Sequence, residues 1–482
     1  MRHPASDIFW LSLSRVLSML LLAVAYFSLF RYLGPENAGR YQYIISFTML
    51  FGVVVDFGMT QYVIKKMTEA PQESKTFFSR YFTVLFPYDI LLYLVIITIA
   101  YFTIPENLLF KGIIVYAFGV CLSGLAFPYL CLMTAQNRLK DVSVVNFVAS
   151  VANSLVIFVC IFLGKGILFL AISSIVSSVL VLISYFLFTE KFPRFRLRSS
   201  GSVLRDFLIH SWPFVLLTVT ATLYNRIDTL LISKILGFKE AGLYSAAYKY
   251  LDLANFFPAV VGHATYPIIS GMASAQRINE LRNFILRYQR LLIALAVFIS
   301  ALVSSCSRYI ITILAGPEYI AAAGTLSILV WASGLLIIYT LFNGLVISSL
   351  TKQALLVTVF SLAVNIIGNI ILLPRFGIQA SAYLTVACEL IQLTGYNLVI
   401  KKRFGTVGWL RLLGLPFFAT IASTLVIFLL QMFATPFVLQ DSVFIVIGKL
   451  VFIGVVSLSV YLSILFSSGY LKLSDLKKLH EK

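Results

Sequence analysis

The sequence predicts an all-α membrane protein: about fourteen transmembrane helices, in two parallel six-helix halves followed by two C-terminal helices. Three observations predict it. Of the 482 residues, 60% are apolar and 12% are charged, against about 45–50% and about 25% in ordinary soluble domains. Apolar runs of about 20 residues, long enough to cross a hydrocarbon core, recur from end to end. A nine-residue motif occurs twice, 203 positions apart. The mean hydropathy of +0.96 excludes a soluble enzyme, a disordered chain and a nucleic-acid module. No nucleic acid is needed to explain the net charge of +18, because its placement points to a membrane.

The spans lie near 8–30, 41–64, 81–104, 109–134, 142–163, 166–188, 208–233, 242–265, 285–305, 322–347, 354–373, 377–399, 411–433 and 443–467. The first follows Arg2 but is too long for the apolar core of a signal peptide, so it is kept as a span. The eighth is broken by Pro258, and a short apolar run at 309–314 precedes the tenth. An even count puts both termini on one side. If that side is cytoplasmic, and cations within five residues of a span's end are counted with the adjoining loop, 25 Lys and Arg lie inside, 8 outside and 4 within spans. That is the bias of the positive-inside rule. A missed span would scramble the alternation downstream, so the sustained bias supports the count.

The repeated motif joins the first two spans of each half. Leu33-Gly34-Pro35-Glu36-Asn37-Ala38-Gly39-Arg40-Tyr41 and Leu236-Gly237-Phe238-Lys239-Glu240-Ala241-Gly242-Leu243-Tyr244 both read L-G-x-x-x-A-G-x-Y. A second echo pairs Gly166 with Gly377, each opening the sixth span of its half. The expected organisation is a first lobe over 1–188, a basic cytoplasmic linker over 189–206 and a second lobe over 207–403. Two extra helices follow over 404–470, then a cytoplasmic tail over 471–482. An even number of spans makes the halves parallel, and two six-helix halves point to a transporter that rocks about a central site. The five cysteines and four histidines lack disulfide or metal-ligand spacing, so no metal site or cofactor is expected.

The residues around the second motif carry a family resemblance. Asn225-Arg226-Ile227-Asp228-Thr229-Leu230-Leu231-Ile232-Ser233, with Ala241-Gly242-Leu243-Tyr244-Ser245-Ala246-Ala247-Tyr248-Lys249, resembles the polysaccharide-export flippases of the Wzx type. Their superfamily also holds multidrug MATE exporters and lipid II flippases. Asp56-Phe57-Gly58-Met59 and Gly316-Pro317-Glu318-Tyr319 look like two further signatures, and the resemblance runs from Ile8 to about Arg403. It implies a MATE-like fold in a bacterial inner membrane, with both termini cytoplasmic. It implies a lipid-linked substrate, an oligosaccharide repeat unit on undecaprenyl diphosphate, turned from the cytoplasmic to the outer leaflet for surface polysaccharide such as O-antigen. Membrane lipid, a polymerase and chain-length components are the partners that follow from it.

Apart from the cations counted with the loops, nine charged side chains fall inside spans: Arg15, Asp56, Asp89, Arg226, Asp228, Lys249, Asp252, Glu389 and Lys449. Each is costly there and is a functional candidate by default. In span seven, Thr218, Thr222, Asn225, Arg226, Asp228 and Thr229 fall within roughly 160° of arc, a face too polar for lipid. They line water or glue helices together. In span eight, Lys249 and Asp252 are three apart and can pair along the helix, with Tyr248 and Asn255 on the same side. Arg15 shares its face with Ser12, Ser14 and Ser18, and either binds substrate or snorkels. By the resemblance, Arg15, Arg226 and Lys249 attract the diphosphate. Glu389, a lone mid-span carboxylate, suits a Na+ or H+ coupling site or a structural hydrogen bond, and Asp228 and Asp252 are further coupling candidates. Asn and Ser on spans five and eleven, such as Asn365 and Asn369, read as interhelical glue. A MATE-like cation-coupled multidrug exporter is the alternative. An enzyme is not expected: the outer loops are short and offer no catalytic pair.

Overall fold

The computed structural model describes residues 4–52, 54–55, 59–189, 200–405, 408–434, 438 and 443–471; side chains are not described for 4–13, 15, 59, 61, 200–215, 217, 263 and 443. Among the described residues there are seventeen α-helices and no strand. Hydrocarbon offers backbone amides no partner, so a spanning segment must satisfy them along its own axis.

In chain order the helices are α1 (Pro4–Gly52), α2 (Met59–Glu69), α3 (Ser74–Thr103), α4 (Asn107–Gly124), α5 (Phe127–Ala135), α6 (Leu139–Phe162), α7 (Ile167–Thr189) and α8 (Ser200–Ile235). Then come α9 (Phe238–Ala254), α10 (Phe256–Ser274), α11 (Ile278–Ser305), α12 (Ser307–Leu314), α13 (Ala322–Ser349), α14 (Thr351–Phe376), α15 (Ile378–Phe404), α16 (Gly414–Phe433) and α17 (Val443–Ser467).

Among the described residues, eleven segments are long and apolar enough to cross a membrane. Spans one and two run together in α1 across a kink at Gly34, so Val16–Gly52 counts once. Spans seven and eight are not among the eleven. The described part of α8 carries Arg226, Asp228 and Lys234, and the eighth span is divided between α9 and α10 at Asn255. The second span is also interrupted: α1 stops at Gly52 and α2 starts at Met59, with Asp56 between them outside the described residues. The apolar run before the tenth span is the short helix α12.

Contacts between chain ends follow the alternation. The Tyr32 hydroxyl donates to Lys165 O, Arg40 pairs with Glu106 at 3.0 Å, and the Lys234 ammonium donates to Thr103 O. All six residues sit at ends assigned to the outer side. Arg138 donates to Phe188 O, and both belong to the inner side.

The chain packs as two compact units, Met1–Gly242 and Leu243–Lys482. In the first, α1 packs on α4, α6 and α8, and α4 on α7. Ser174 and Ser178 of α7 donate to Tyr116 O and Gly119 O of α4, at 3.1 and 2.8 Å. Such bonds contribute only about 0.6 kcal/mol each, so close backbone approach carries most of the packing. In the second unit, α13 is central, against α10, α11 and α15. The extra helices α16 and α17 pack on α11, where Tyr461 stacks on Phe298 and donates to Ala294 O at 2.8 Å. Residues 190–199 of the expected linker lie outside the described residues, and 200–206 are already helix α8.

The duplicated motif explains why the first unit extends to Gly242, beyond the expected first half. Gly34 and Gly237 hold φ of +69° and +99°, a backbone region that side chains disfavour, and there the chain turns into its next helix. Ala38, Tyr41 and Ala241 are buried. The two copies cross each other reciprocally. A Cβ on Gly39 would lie 1.8 Å from Phe238 O, and one on Gly242 would lie 1.8 Å from Pro35 O. Phe238 is the counterpart of Pro35, and Gly242 of Gly39, so the contact is nearly two-fold symmetric. Arg40 adds a cation–π contact at 5.4 Å to the Phe238 ring. This crossing holds α8 and the start of α9 to α1. The second echo is looser: Gly377 has φ of +64°, but its backbone counterpart is Gly164, at +62°, rather than Gly166.

Gly39→Ala and Gly242→Ala are each expected to destabilise the protein by about 1–3 kcal/mol, the usual cost of overpacking. Either methyl must part the same two segments, so the double variant is expected to cost clearly less than the two together. Thermal unfolding of the purified protein in detergent checks both; strictly additive losses would mean that the two contacts are independent.

Candidate functional site

The polar residues of α8 differ in burial along the helix more than around it. Thr218 and Asn225 are exposed, Thr222 and Arg226 are half-buried, and Asp228 and Thr229 are only 3% and 8% exposed. The Asn225 amide donates back to Ala221 O at 2.8 Å, and Ser233 donates to Thr229 O at 2.6 Å. Thr220, which the helical arc turns away from the others, is buried and bonded to Leu216 O. Burial therefore prevails from Asp228 to Ser233, whereas before Arg226 exposed Thr218, Ala221 and Asn225 alternate with half-buried positions and buried Thr220. If α8 crosses the membrane, solvent-accessible polar residues such as Thr218 and Asn225 would be out of place against lipid. Arg226 lies within electrostatic reach of Tyr116 on α4. Among the described residues it makes no ion pair with Asp228. Helix geometry accounts for that, since residues two apart project in different directions.

In the second unit, the part of α9 beyond residue 242 brings two predicted residues together. Lys249 Nζ lies 3.2 Å from Asp252 Oδ2, both partly buried, as the spacing of three predicts. Tyr248 is half-buried and its ring packs 5.7 Å from that of Tyr244. Asn255 marks the break between α9 and α10, and three residues beyond it Pro258 lacks the amide that a continuous helix would need.

Glu389 sits on α15, 7% exposed. The Tyr339 hydroxyl of α13 donates to its Oε2. Gln392 Oε1 lies 3.5 Å from the hydroxyls of both Tyr339 and Tyr396, and Thr358 on α14 lies 3.2 Å from the Tyr396 hydroxyl. Three helices thus share one buried polar chain. Farther along α14 and α15, Ser381 donates to Asn369 Oδ1, and Asn369 donates to Asn365 O. Those asparagines act as glue between helices, as expected of span eleven. The side chain of Arg15 is outside the described residues.

Sequence reasoning missed Tyr339 and Gln289. Gln289 is fully buried on α11 and donates to Ile338 O, the residue beside Tyr339. A search confined to ionisable groups passes over neutral donors. The signal that would have found them is a tyrosine or glutamine at mid-span, facing a helix that carries a carboxylate but no mid-span cation.

Comparison with known proteins adds the following. The family profile described as "Polysaccharide biosynthesis protein" matches residues 5–273, and the MatE profile matches residues 213–371. The chain is 24% identical over 261 residues to "Probable flippase AglR" of Haloferax volcanii. That match spans 53% of this chain and 53% of AglR, about half the length of each. Among solved structures, the lipid II flippase MurJ in an inward closed conformation aligns with a TM-score of 0.70 and 15% identity. The alignment covers 95% of this chain and 99% of MurJ. A point mutant of the MATE transporter VcmN of Vibrio cholerae aligns with a TM-score of 0.56 and 14% identity, over 83% and 97%. At such identities these likenesses establish the fold: all-α, multi-pass and MATE-like.

Tyr339→Phe is expected to cost about 1.5–3 kcal/mol of stability, the range for a hydrogen bond to a charged group. In a Glu389→Leu background the same change is expected to cost close to nothing. Chemical unfolding of the four proteins of this cycle measures the coupling; an equal loss in both backgrounds would remove the interaction.

Proposed function

The chain belongs to the polysaccharide biosynthesis protein family, and from that premise we propose that it is a flippase for an undecaprenyl-diphosphate-linked oligosaccharide. It carries the repeat unit from the cytoplasmic to the outer leaflet of a bacterial inner membrane by alternating access. The protein is a transporter and forms no covalent intermediate. Its termini are cytoplasmic, and its products feed a polymerase and chain-length components. The observation that carries this reading is the open polar stretch of α8. Exposed Thr218 and Asn225, beside half-buried Arg226, stand on a spanning helix of a chain that is 60% apolar. The likeness to AglR, itself described as a probable flippase, supports the same class.

The physics of the task sets the parts. A sugar diphosphate cannot cross about 30 Å of hydrocarbon unaided. It needs a wet path with cations for phosphate and neutral donors and acceptors for hydroxyls, while the isoprenoid tail stays in lipid. A guanidinium binds phosphate oxygens in a fork, so Arg226 grips the diphosphate, with Arg15 as a second cation. Lys249 can serve as a point charge only when its pair with Asp252 opens. Sugar hydroxyls fall to Thr218, Thr222 and Asn225 in the first unit, joined by Thr229 only if its buried position opens, and to Tyr248 and Asn255 in the second. Asp228, Asp252 and Glu389 are the carboxylates through which Na+ or H+ drives the cycle.

One observation favours a second reading. The MatE profile covers residues 213–371, which include α9 and α13 with Lys249, Asp252 and Tyr339. A cation-coupled exporter would use Asp228 and Glu389 for its substrate and would not need Arg226.

Deleting the gene is expected to leave lipid-linked repeat units in the inner leaflet and to remove surface polysaccharide. Restoring Arg226→Ala, at matched membrane levels, is expected to leave export about 10- to 100-fold low, the scale of one charged hydrogen bond. Normal export by that variant would end the role given to Arg226. Sensitivity to cationic dyes with intact polysaccharide would favour the exporter.

A further inference from the structure

Two clusters of buried apolar side chains divide the first unit across its helices, not between them. One takes in Leu92 of α3, Cys121 of α4, Ile157 of α6 and Ala171 of α7. The other takes in Leu85 of α3, Tyr129 of α5, Val145 of α6 and Tyr185 of α7. By the charge count the first cluster is outer and the second inner. Partly buried Tyr88 and Phe127 pack against both. The outer cluster also holds the motif crossing, with Tyr41 buried in it and Phe238 packed against it.

The backbone is weakest at the level where the clusters part. In α3, Pro87 stands between Leu85 and Leu92 and is exposed. Helix α4 ends at Gly124, and α5 begins at Phe127 with Pro128 in its first turn. Each proline lacks the amide that would bond the carbonyl four residues before it, Thr83 O in α3 and Gly124 O in α4. These two weak points are neighbours: buried Asp89 fills the space that a side chain on Gly124 would take. Helices α6 and α7 run through the same level unbroken, and there Ser177 of α7 donates to Ala149 O of α6 at 3.3 Å.

A proline in a spanning helix is commonplace and by itself sets only a kink. It does not account for a second interruption beside it, or for a core that divides at the same level. Two rigid halves rocking on each other would need none of these features. Hinges absorb their change of φ and ψ in a few residues at element ends, between bodies that each keep their own packing. We propose that the first unit bends within itself at this level. The inner parts of α3, α6 and α7 swing as one body with α2 and α5. The outer part, pinned by the motif crossing, keeps its packing, and unbroken α6 and α7 are the flexing connection. The bend belongs to the fold and holds for either class of cargo.

Double electron–electron resonance on the full-length protein in lipid nanodiscs tests this. The five native cysteines are buried, so spin labels go to cysteines introduced at exposed positions. Lys65 with Phe102 reports across the level, Lys65 with Gln136 within the inner body, and Phe102 with Phe162 within the outer one. A bend of about 20°, the size of a proline kink, moves the end of an arm of about 20 Å by about 7 Å. The Lys65–Phe102 distances are therefore expected to spread more widely than those of the other two pairs, by several ångström. Pro87→Ala restores an amide at an exposed position and is expected to narrow that spread, as is Pro128→Ala, which lets α4 run on into α5. Pro374→Ala, in α14 of the second unit, should leave it unchanged. Equal spreads for the three pairs would overturn the proposal. So would a Lys65–Phe102 distance that Pro87→Ala and Pro128→Ala shift without narrowing, because the prolines would then set a fixed kink.

Discussion

A chain in hydrocarbon has no solvent to hydrogen-bond its backbone, and every other feature of this protein is built around that constraint. It makes the spans helical apart from short breaks after Gly52, Gly124 and Ala254, and it limits how the helices can turn. At the ends of spans the chain reverses through glycines with positive φ, at Gly34, Gly164, Gly237, Gly316 and Gly377. Those turns are short, so successive helices lie close. Lipid tails are as apolar as leucine and provide no hydrophobic drive between helices, so contact area has to come from close approach. Gly39 against Phe238 O and Gly242 against Pro35 O are that approach in its tightest form.

The same crossing explains why duplication and compactness divide the chain differently. The motif repeats at 203 residues, which sets the halves apart in sequence. Yet the two copies pack on each other, and they carry α8 and the first turn of α9 into the unit that ends at Gly242. A repeat read from sequence reports ancestry. A compact unit reports packing, and here the repeated segments are themselves the point of contact.

Much of this was legible in the sequence, and what was not has a physical reason. Four of the five fixed letters of L-G-x-x-x-A-G-x-Y have a structural job: a turn glycine, a buried alanine, a crossing glycine and a buried tyrosine. The pair Lys249–Asp252 was legible because its partners are local, three residues apart on one helix. Tyr339 with Glu389 was not, because the partners are fifty residues apart and one is neutral. The division of the eighth span was signalled by Pro258, whereas the interruption after Gly52 carries no proline and only the weaker signal of Gly52, Asp56 and Gly58. The polar arc of α8 was visible as a helical-wheel pattern, but a wheel projects away depth. Burial changes along that helix, between Asn225 and Asp228, and a projection cannot show it.

Charge balance was the difficulty for any phosphate-binding reading. Apart from cations near span ends, the spans hold four cations and five carboxylates, so complete pairing would leave no positive field. Helix geometry decides which neighbours along one helix can meet. Lys249 and Asp252 are three apart and meet. Arg226 and Asp228 are two apart, point in different directions and differ in burial, the arginine half-buried and the carboxylate almost wholly buried. Glu389 takes a hydrogen bond from a neutral tyrosine. Among four of these groups, spacing and burial thus distinguish the pair Lys249–Asp252, the Glu389 carboxylate that accepts from a hydroxyl, and the half-buried Arg226 guanidinium. A positive field at Arg226 is therefore compatible with a net excess of intramembrane carboxylates, because the attraction between two charges depends on where they point as well as on how many there are.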